Sequence, residues 1–251
     1  MLNKVSYSCT ALNGLNKVGK IRQGEDGYYE VILGGLNVRN TRGELYTYEH
    51  AKELFEASGV LQRRIQRGAL RSENGHPVKE VGMTMKEYAG RLMSIRESRV
   101  CAHIRKVDLV FDKIRDKDGK PIVAIVGYVK PSGELGYVLR DALQNPNENI
   151  AFSIRAFTDD VETYRGLERR LHNIVTWDFV GEPGLPIAEK YNSPSLESYE
   201  DITFKRRELT EAVQSMAQTG VATESDSMNA QALFQSLGWT TAPARPSFAQ
   251  W

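Results

Sequence analysis

Two runs rich in β-branched residues, RVCAHIRKVDLVF (99–111) and PIVAIVGYVK (121–130), flank the short polar segment DKDGK. Asp118-Gly119 within that segment suits the positive backbone angles of a tight connection, so residues 99–130 are predicted to fold as a β-hairpin. Strands joined this closely are antiparallel, and they commit the chain to a largely antiparallel sheet. Further strand patterns are YYEVILGGLNV (28–38), whose Gly34-Gly35 pair marks a bulge or close backbone approach, IAFSIRAF (150–157) and LHNIVTWDFV (171–180). Helical stretches lie between them. Thr47 can cap a short helix to about Ser58, and Thr84 with Glu87 has the form of a capping box ahead of Met85, Ala89, Leu92 and Met93. Ser132 can cap a helix through Leu135, Val138, Leu139, Ala142 and Leu143. Strands and helices do not alternate regularly, so the expected class is α+β, with a largely antiparallel β-barrel or sheet flanked by helices.

At 251 residues with 41% hydrophobic content, the chain can build one sizeable core and an appendage. The texture changes near Lys190. Residues 28–190 are therefore read as the domain, 1–27 as an N-terminal segment, and 191–251 as a tail with one helix at about 202–219. The closing TTAPARPSFAQW looks unfolded on its own. Lys+Arg at 33 against Asp+Glu at 32 leaves no broad positive field, which argues against direct nucleic-acid binding. Cys9 and Cys101 offer neither a disulfide framework nor Cys/His ligand spacing, so no metal or other cofactor is expected and a reducing compartment fits. Neither a membrane span nor the apolar core of a signal peptide is visible, and an intracellular location away from membranes is expected.

A general base for hydrolysis would have to come from four histidines. His50 lies in a predicted helix beside Glu49 and reads as solvent-facing. His103 and His172 lie in strand patterns, where a core or edge histidine is commoner than a catalytic one. His76 differs, because ENGHPV sets it in a loop between a pliant Gly75 and a rigid Pro77, and loops on a rigid scaffold carry catalytic groups. Along AFSIRAF, alternation puts Phe152, Ile154 and Ala156 on one strand face and Ser153 with Arg155 on the other. Taken alone, that polar pair reads first as a solvated face, and no GxSxG elbow is present.

Four blocks in order resemble the prohead (procapsid maturation) serine proteases of large tailed bacteriophages, which are related in fold to the herpesvirus capsid-maturation proteases. GGLNVRNTRGELYTYEHAKELFE is similar to that family's strand, Asn-rich turn and following helix, and RSENGHP to the block around its catalytic histidine. LRDALQNPNENIAFSIRAF resembles the helix and strand that present its nucleophile, and TWDFVGEPGLP the end of its catalytic domain. Together the blocks span roughly residues 28–187. The resemblance implies His76 as general base, Ser153 as nucleophile and Asp178 as the orienting third residue, with His172 and Asp108 as alternatives for the third place. It further implies acyl transfer through an acyl-enzyme. Arg155, on the same strand face as Ser153, is a candidate donor to the oxyanion, with a plain salt-bridge role as the alternative. Departures from the family pattern are the extra Gly75, Ile154 where a second serine is frequent, and an enlarged connection at 84–97.

Family members cleave scaffold, capsid precursors and themselves after glutamate, in small-x-Glu sequences, inside the assembling prohead in the host cytoplasm. The resemblance implies the same substrates and place for this chain, retention in the virion, homo-oligomerisation, and an N-terminal segment, residues 1–27, that blocks the site or is processed. In the tail, three of five glutamates, Glu197, Glu200 and Glu224, have Ser or Ala two positions earlier, which makes them candidate self-cleavage sites. Glu53, Glu134 and Glu168 follow a small residue too, but in or beside predicted helices and turns that hinder an extended substrate. Ser198 ahead of Glu200-Asp201 also suits a helix cap. The rival expectation is a non-enzymatic phage head or scaffold component that shares the fold and docks through its tail.

Overall fold

The computed structural model describes residues 4–13, 23–40, 43–56, 58–115, 119–145, 148, 150–181, 202–219, 224–237 and 239. In chain order its elements are β1 (Lys4–Asn13), β2 (Tyr29–Leu36), β3 (Val38–Arg39), β4 (Leu45–Tyr46), α1 (Tyr48–Ala51), α2 (Val60–Gln66), β5 (Arg71–Glu73), α3 (Met85–Met93), β6 (Val100–Arg115), β7 (Pro121–Pro131), α4 (Gly136–Gln144), β8 (Ala151–Thr163), β9 (Gly166–Val180), β10 (Ile202–Lys205), α5 (Arg206–Thr219) and α6 (Glu224–Ser236).

The expected hairpin is β6–β7, antiparallel from Ala102↔Pro131 to Arg115↔Pro121, with Gly119 at φ +75° in its connection. Asp118 lies outside the described residues. β2 pairs with β7 and β5 with β6, giving a four-stranded sheet in the order β2-β7-β6-β5. A bulge falls between Ile32 and Gly34, beside the Gly-Gly pair. The tightest approach is across the ladder, where a Cβ on Gly127 would stand 2.3 Å from Leu33, so only glycine fits there.

The second sheet has the order β10-β1-β8-β9-β4-β3. Its spine is one long hairpin, β8–β9, where the sequence patterns marked only 150–157 and 171–180. The missing middle, DDVETYRGLERR, is too charged to look like a strand. Its charges neutralise one another across the ladder, as Arg169 Nε does with Asp160 Oδ1 at 3.0 Å, while Glu44 meets the same guanidinium at 2.7 Å. Parallel pairing among the described residues is confined to Leu45↔Glu168 and the bridge Asn74↔Phe179. The class is α+β with largely antiparallel sheets flanked by helices, as expected.

Several boundaries differ from the sequence reading. Within the N-terminal segment, β1 is a full member of the second sheet, pairing Ala11 with Ser153 and Cys9 with Arg155. Its Ser- and Thr-containing sequence gave no strong strand signal, and its partners' backbone groups supply the order. Residues 202–205 are a strand, not the start of a helix, because Ile202, Thr203 and Phe204 favour extended backbone and find the edge of β1. The tail is no loose appendage: Phe204, Leu209, Leu233, Phe234 and Trp239 are buried in one cluster with Tyr88, Leu92 and Phe157. The closing TTAPARPSFAQW lies outside the described residues. The Thr84 capping box forms with both of its bonds. Thr47 instead turns its hydroxyl to His50 Nδ1 at 2.7 Å, and α4 starts at Gly136 behind Leu135, with no cap from Ser132.

The main core lies between the sheets and includes Leu33, Ile104, Ile125, Phe152, Ile154 and Trp177. The other face of the six-stranded sheet is covered by α3, α5 and α6 through the second cluster. Because side chains alternate along a strand, Ser153, Arg155 and Asp178 project to that helix-covered face, away from Phe152, Ile154 and Trp177.

Candidate active site

Register sets the site. Ser153 on β8 is directly opposite Asp178 on β9, and residues so paired share a face with Cβ atoms about 5 Å apart. Both are fully buried. The polar face of AFSIRAF is thus not solvated, which removes the bland reading of Ser153 and Arg155.

His76 arrives from the loop after β5, and that loop is stitched to both sheets. Asn74 donates its N–H to Arg99 O at 2.9 Å, and Gly75 donates to Phe179 O at 2.7 Å. Gly75 adopts φ +77°, a left-handed conformation that costs glycine little, and a Cβ there would stand 3.3 Å from an Arg99 amine. The extra residue is absorbed in this turn. Tyr88 of α3 closes the other side, donating its hydroxyl to Pro77 O at 3.2 Å.

The imidazole then meets Asp178, with Nδ1 and Oδ2 3.0 Å apart. Arg155 approaches the same carboxylate in a fork, Nε to Oδ2 at 2.8 Å and Nη2 to Oδ1 at 2.7 Å, and the Glu73 N–H adds a bond to Oδ1 at 3.2 Å. Burial pushes the Asp178 carboxyl up, but the Arg155 charge and the His76 hydrogen bond outweigh it and hold the group below its ordinary value. An ionised Asp178 requires the ring proton on Nδ1, which leaves Nε2 as the basic nitrogen. Ser153 Oγ is buried and makes no hydrogen bond among the described residues.

The other candidates lie elsewhere. His172 Nε2 is 2.8 Å from Asp159 Oδ1, farther along the β8–β9 hairpin, and Asp108 Oδ2 pairs with Lys106 Nζ at 2.5 Å on the four-stranded sheet. His50 meets Thr47, and His103 Nδ1 lies 3.0 Å from the Tyr28 hydroxyl. Arg155 is placed differently from an oxyanion donor: Nε and Nη2 go to Asp178 and Nη1 to Ser94 O at 2.9 Å, so the fork holds the carboxylate from behind. Cys101 is buried nearby, and burial together with the Asp178 charge pushes its thiol up to about 12, which leaves it inert as a nucleophile. Among the described residues no group of three His, Cys, Asp or Glu side chains could hold a metal, and no helix is long and apolar enough to cross a membrane.

Sequence reasoning missed Glu73 and Arg91. Glu73 is fully buried, its Oε1 accepts from Arg91 Nη1 at 2.9 Å and from the Arg96 N–H at 2.6 Å, and its Oε2 is 3.2 Å from Arg155 Nη2. In RSENGHP it is one charged residue in a polar loop sequence, and its partners on α3 and β8 are remote in the chain. Of the candidate cleavage sites, Glu197 and Glu200 lie outside the described residues, and Glu224 is the first residue of α6.

A buried His–Asp contact beside a serine, on a helix-covered antiparallel sheet, has the composition of a hydrolase site. The model of the Peptidase S80 family matches residues 7–234, and the chain belongs to that family. It is 35% identical over 257 residues to the capsid maturation protease of Pseudomonas phage phiKZ, covering 98% of this chain and 94% of that protein. Among solved structures it is similar to the bacteriophage T4 capsid assembly protease, with a TM-score of 0.44 and 11% identity over 71% of this chain and 99% of that one. The family match and the phiKZ relative bear out the resemblance to tailed-phage prohead proteases.

Proposed function

We propose that this peptidase is a prohead-maturation serine endopeptidase in which Ser153 is the nucleophile, His76 the general base and Asp178 the orienting carboxylate. The observation that carries this reading is the 3.0 Å contact of His76 Nδ1 with a buried Asp178 that lies directly opposite Ser153. Nε2 of His76 takes the Ser153 proton as Oγ bonds to the scissile carbonyl carbon. The tetrahedral adduct collapses, the C–N bond breaks, and the same Nε2 returns its proton to the leaving amine. Water repeats the sequence on the acyl-enzyme and frees Oγ. Asp178, kept ionised by Arg155, stabilises the imidazolium that forms in each half. Arg155 serves as a positioning group, and the oxyanion is left to other donors.

The substrates are the scaffold and capsid precursors of a phage prohead, cut after glutamate in small-x-Glu sequences within the prohead in the host cell, by an enzyme that acts as a homo-oligomer. The name of the phiKZ relative supports a capsid substrate. The chain's own tail is a further substrate at Glu197 or Glu200, which lie just before β10. A cut after Glu224 would need the first turn of α6 to open, so that site ranks last. Intact-mass measurement of wild type and Ser153→Ala after incubation with scaffold tests the reading. Fragments ending at Glu197 or Glu200 in wild type alone are expected, and equal processing by Ser153→Ala would overturn it.

A further inference from the structure

Behind the His76–Asp178 contact stands a row of charge with two members, Glu73 and Arg91, that the reaction scheme does not use. Arg91, Glu73, Arg155 and Asp178 follow one another as alternating cations and anions, with Arg91 the most exposed at 9%. Arg91 Nη2 also contacts Glu73 Oε2, and Arg91 Nη1 is 3.2 Å from Ser94 O, the same carbonyl that accepts from Arg155 Nη1. Glu73 therefore touches Asp178 by two routes, its own N–H on Oδ1 and its carboxylate on the Arg155 guanidinium. A buried ion pair broken on one side leaves an uncompensated charge, so each member of such a row constrains the next.

We propose that Glu73, gripped by Arg91 of α3, is a positioning residue of the catalytic site, setting the Arg155 fork and through it the orientation and charge of Asp178. The inference rests on the reading of Asp178 as the carboxylate that orients His76. Without Glu73, the Arg155 guanidinium would answer to Asp178 alone and, together with Arg91, would leave the row with one surplus positive charge. With Glu73 in place the row is neutral, and the Asp178 charge is available to the imidazolium. α3 is then part of the catalytic framework twice over, through Arg91 on Glu73 and through Tyr88 on the Pro77 carbonyl next to His76.

The sign of the effect separates positioning from plain structural support. The charged groups around His76 are Asp178 from β9, Arg155 from β8, Glu73 from β5 and Arg91 from α3. Cys101 of β6 stays neutral, Arg99 sits on the Asn74 carbonyl, and Arg96 is paired with Glu80 at 3.0 Å. Glu73→Gln makes the row more positive and disfavours the imidazolium, so the acid limb of kcat/KM moves to lower pH. Arg91→Met makes the row more negative, and the limb moves to higher pH. Shifts on the order of one pH unit are expected for charges this close, and turnover falls by about a hundredfold in each variant as the reacting groups lose alignment. Arg91→Lys keeps the charge without the fork, so its limb stays near the wild-type position while turnover falls.

The experiment measures these profiles on a small-x-Glu peptide and, in parallel, titrates the His76 ring by NMR in the Ser153→Ala chain carrying the same substitutions. Opposite shifts for Glu73→Gln and Arg91→Met support the proposal. Absent or same-direction shifts overturn it, and if Glu73→Gln does not fold, the Arg91→Met and Arg91→Lys pair decides alone. The ring titration keeps the two readings apart: opposite shifts alongside an active Ser153→Ala would sink the nucleophile and leave the positioning row standing.

Discussion

The β8–β9 hairpin carries two histidine–carboxylate contacts, and only one of them has the makings of a site. His172 lies 2.8 Å from Asp159 and His76 3.0 Å from Asp178, so distance does not distinguish them. Surroundings do. His172 and Asp159 are 16% and 12% exposed, and both come from the same hairpin. Burial raises the Asp159 carboxyl, and the nearby His172 ring and the Arg170 charge bring it down below its ordinary value, so the imidazole itself is the main stabiliser of the charge. Asp178 is fully buried, ionised chiefly by an arginine behind it, and met by a histidine from another strand's loop with a serine across the ladder. What sets the Asp178 contact apart is an arginine that keeps the carboxylate charged and a serine paired with it across the ladder.

Matched substitutions at the two pairs can break this comparison. Asp178→Asn is expected to lower turnover on a small-x-Glu peptide by about ten-thousandfold, because an amide stabilises neither the right ring tautomer nor the imidazolium. Asp159→Asn leaves turnover close to wild type, and comparable losses in both variants, measured on folded protein, would refute the distinction. Acid stability gives a second, smaller contrast. Since the folded Asp178 is held below the ordinary 3.8, its ionisation contributes stability that is full above that value and is lost as pH falls through the lower folded one. Urea midpoints measured from neutral pH down through that window should fall less steeply for Asp178→Asn than for wild type, in which the Asp178 contribution is intact. His172→Asn is expected to have the smallest effect on turnover, with the pH profile of kcat/KM unshifted from wild type.

The tail sharpens the contrast in another way. α5 and β10 pack on α3, the helix whose Arg91 holds Glu73 and whose Tyr88 holds the Pro77 carbonyl, and Phe204 lies against Tyr88 with ring centroids 6.3 Å apart. Burying Phe204, Leu209, Leu233 and Phe234 at about 2 kcal/mol each gives the tail a substantial affinity of its own. A cut after Glu200 is therefore expected to leave the fragment bound, so that native mass spectrometry shows the uncut mass plus one water while denaturing conditions separate two chains. Spontaneous release at micromolar concentration would show instead that the cut also disrupts this cluster.

Local pattern made much of the framework legible. The β6–β7 hairpin, the α3 capping box and the alternation along AFSIRAF all depend on neighbours a few residues apart, and all three formed. The charged middle of β8–β9 and the weakly patterned β1 were not legible, because their strand character comes from partners across the ladder. The same holds for the site. His76 and Ser153 stood out by loop context and by resemblance, whereas Glu73 and Arg91 look like surface charges until β5 and α3 are brought together around Arg155.

By itself, then, the sequence determined which reactive side chains exist, the face of β8 on which Ser153 projects, and the membership in a peptidase family. Tertiary structure alone decided which carboxylate meets His76, that the Ser153 face is buried, and that Arg155 points inward. Burial and long-range pairing are properties of contacts between distant segments, and for charged groups they decide both the protonation state and the role.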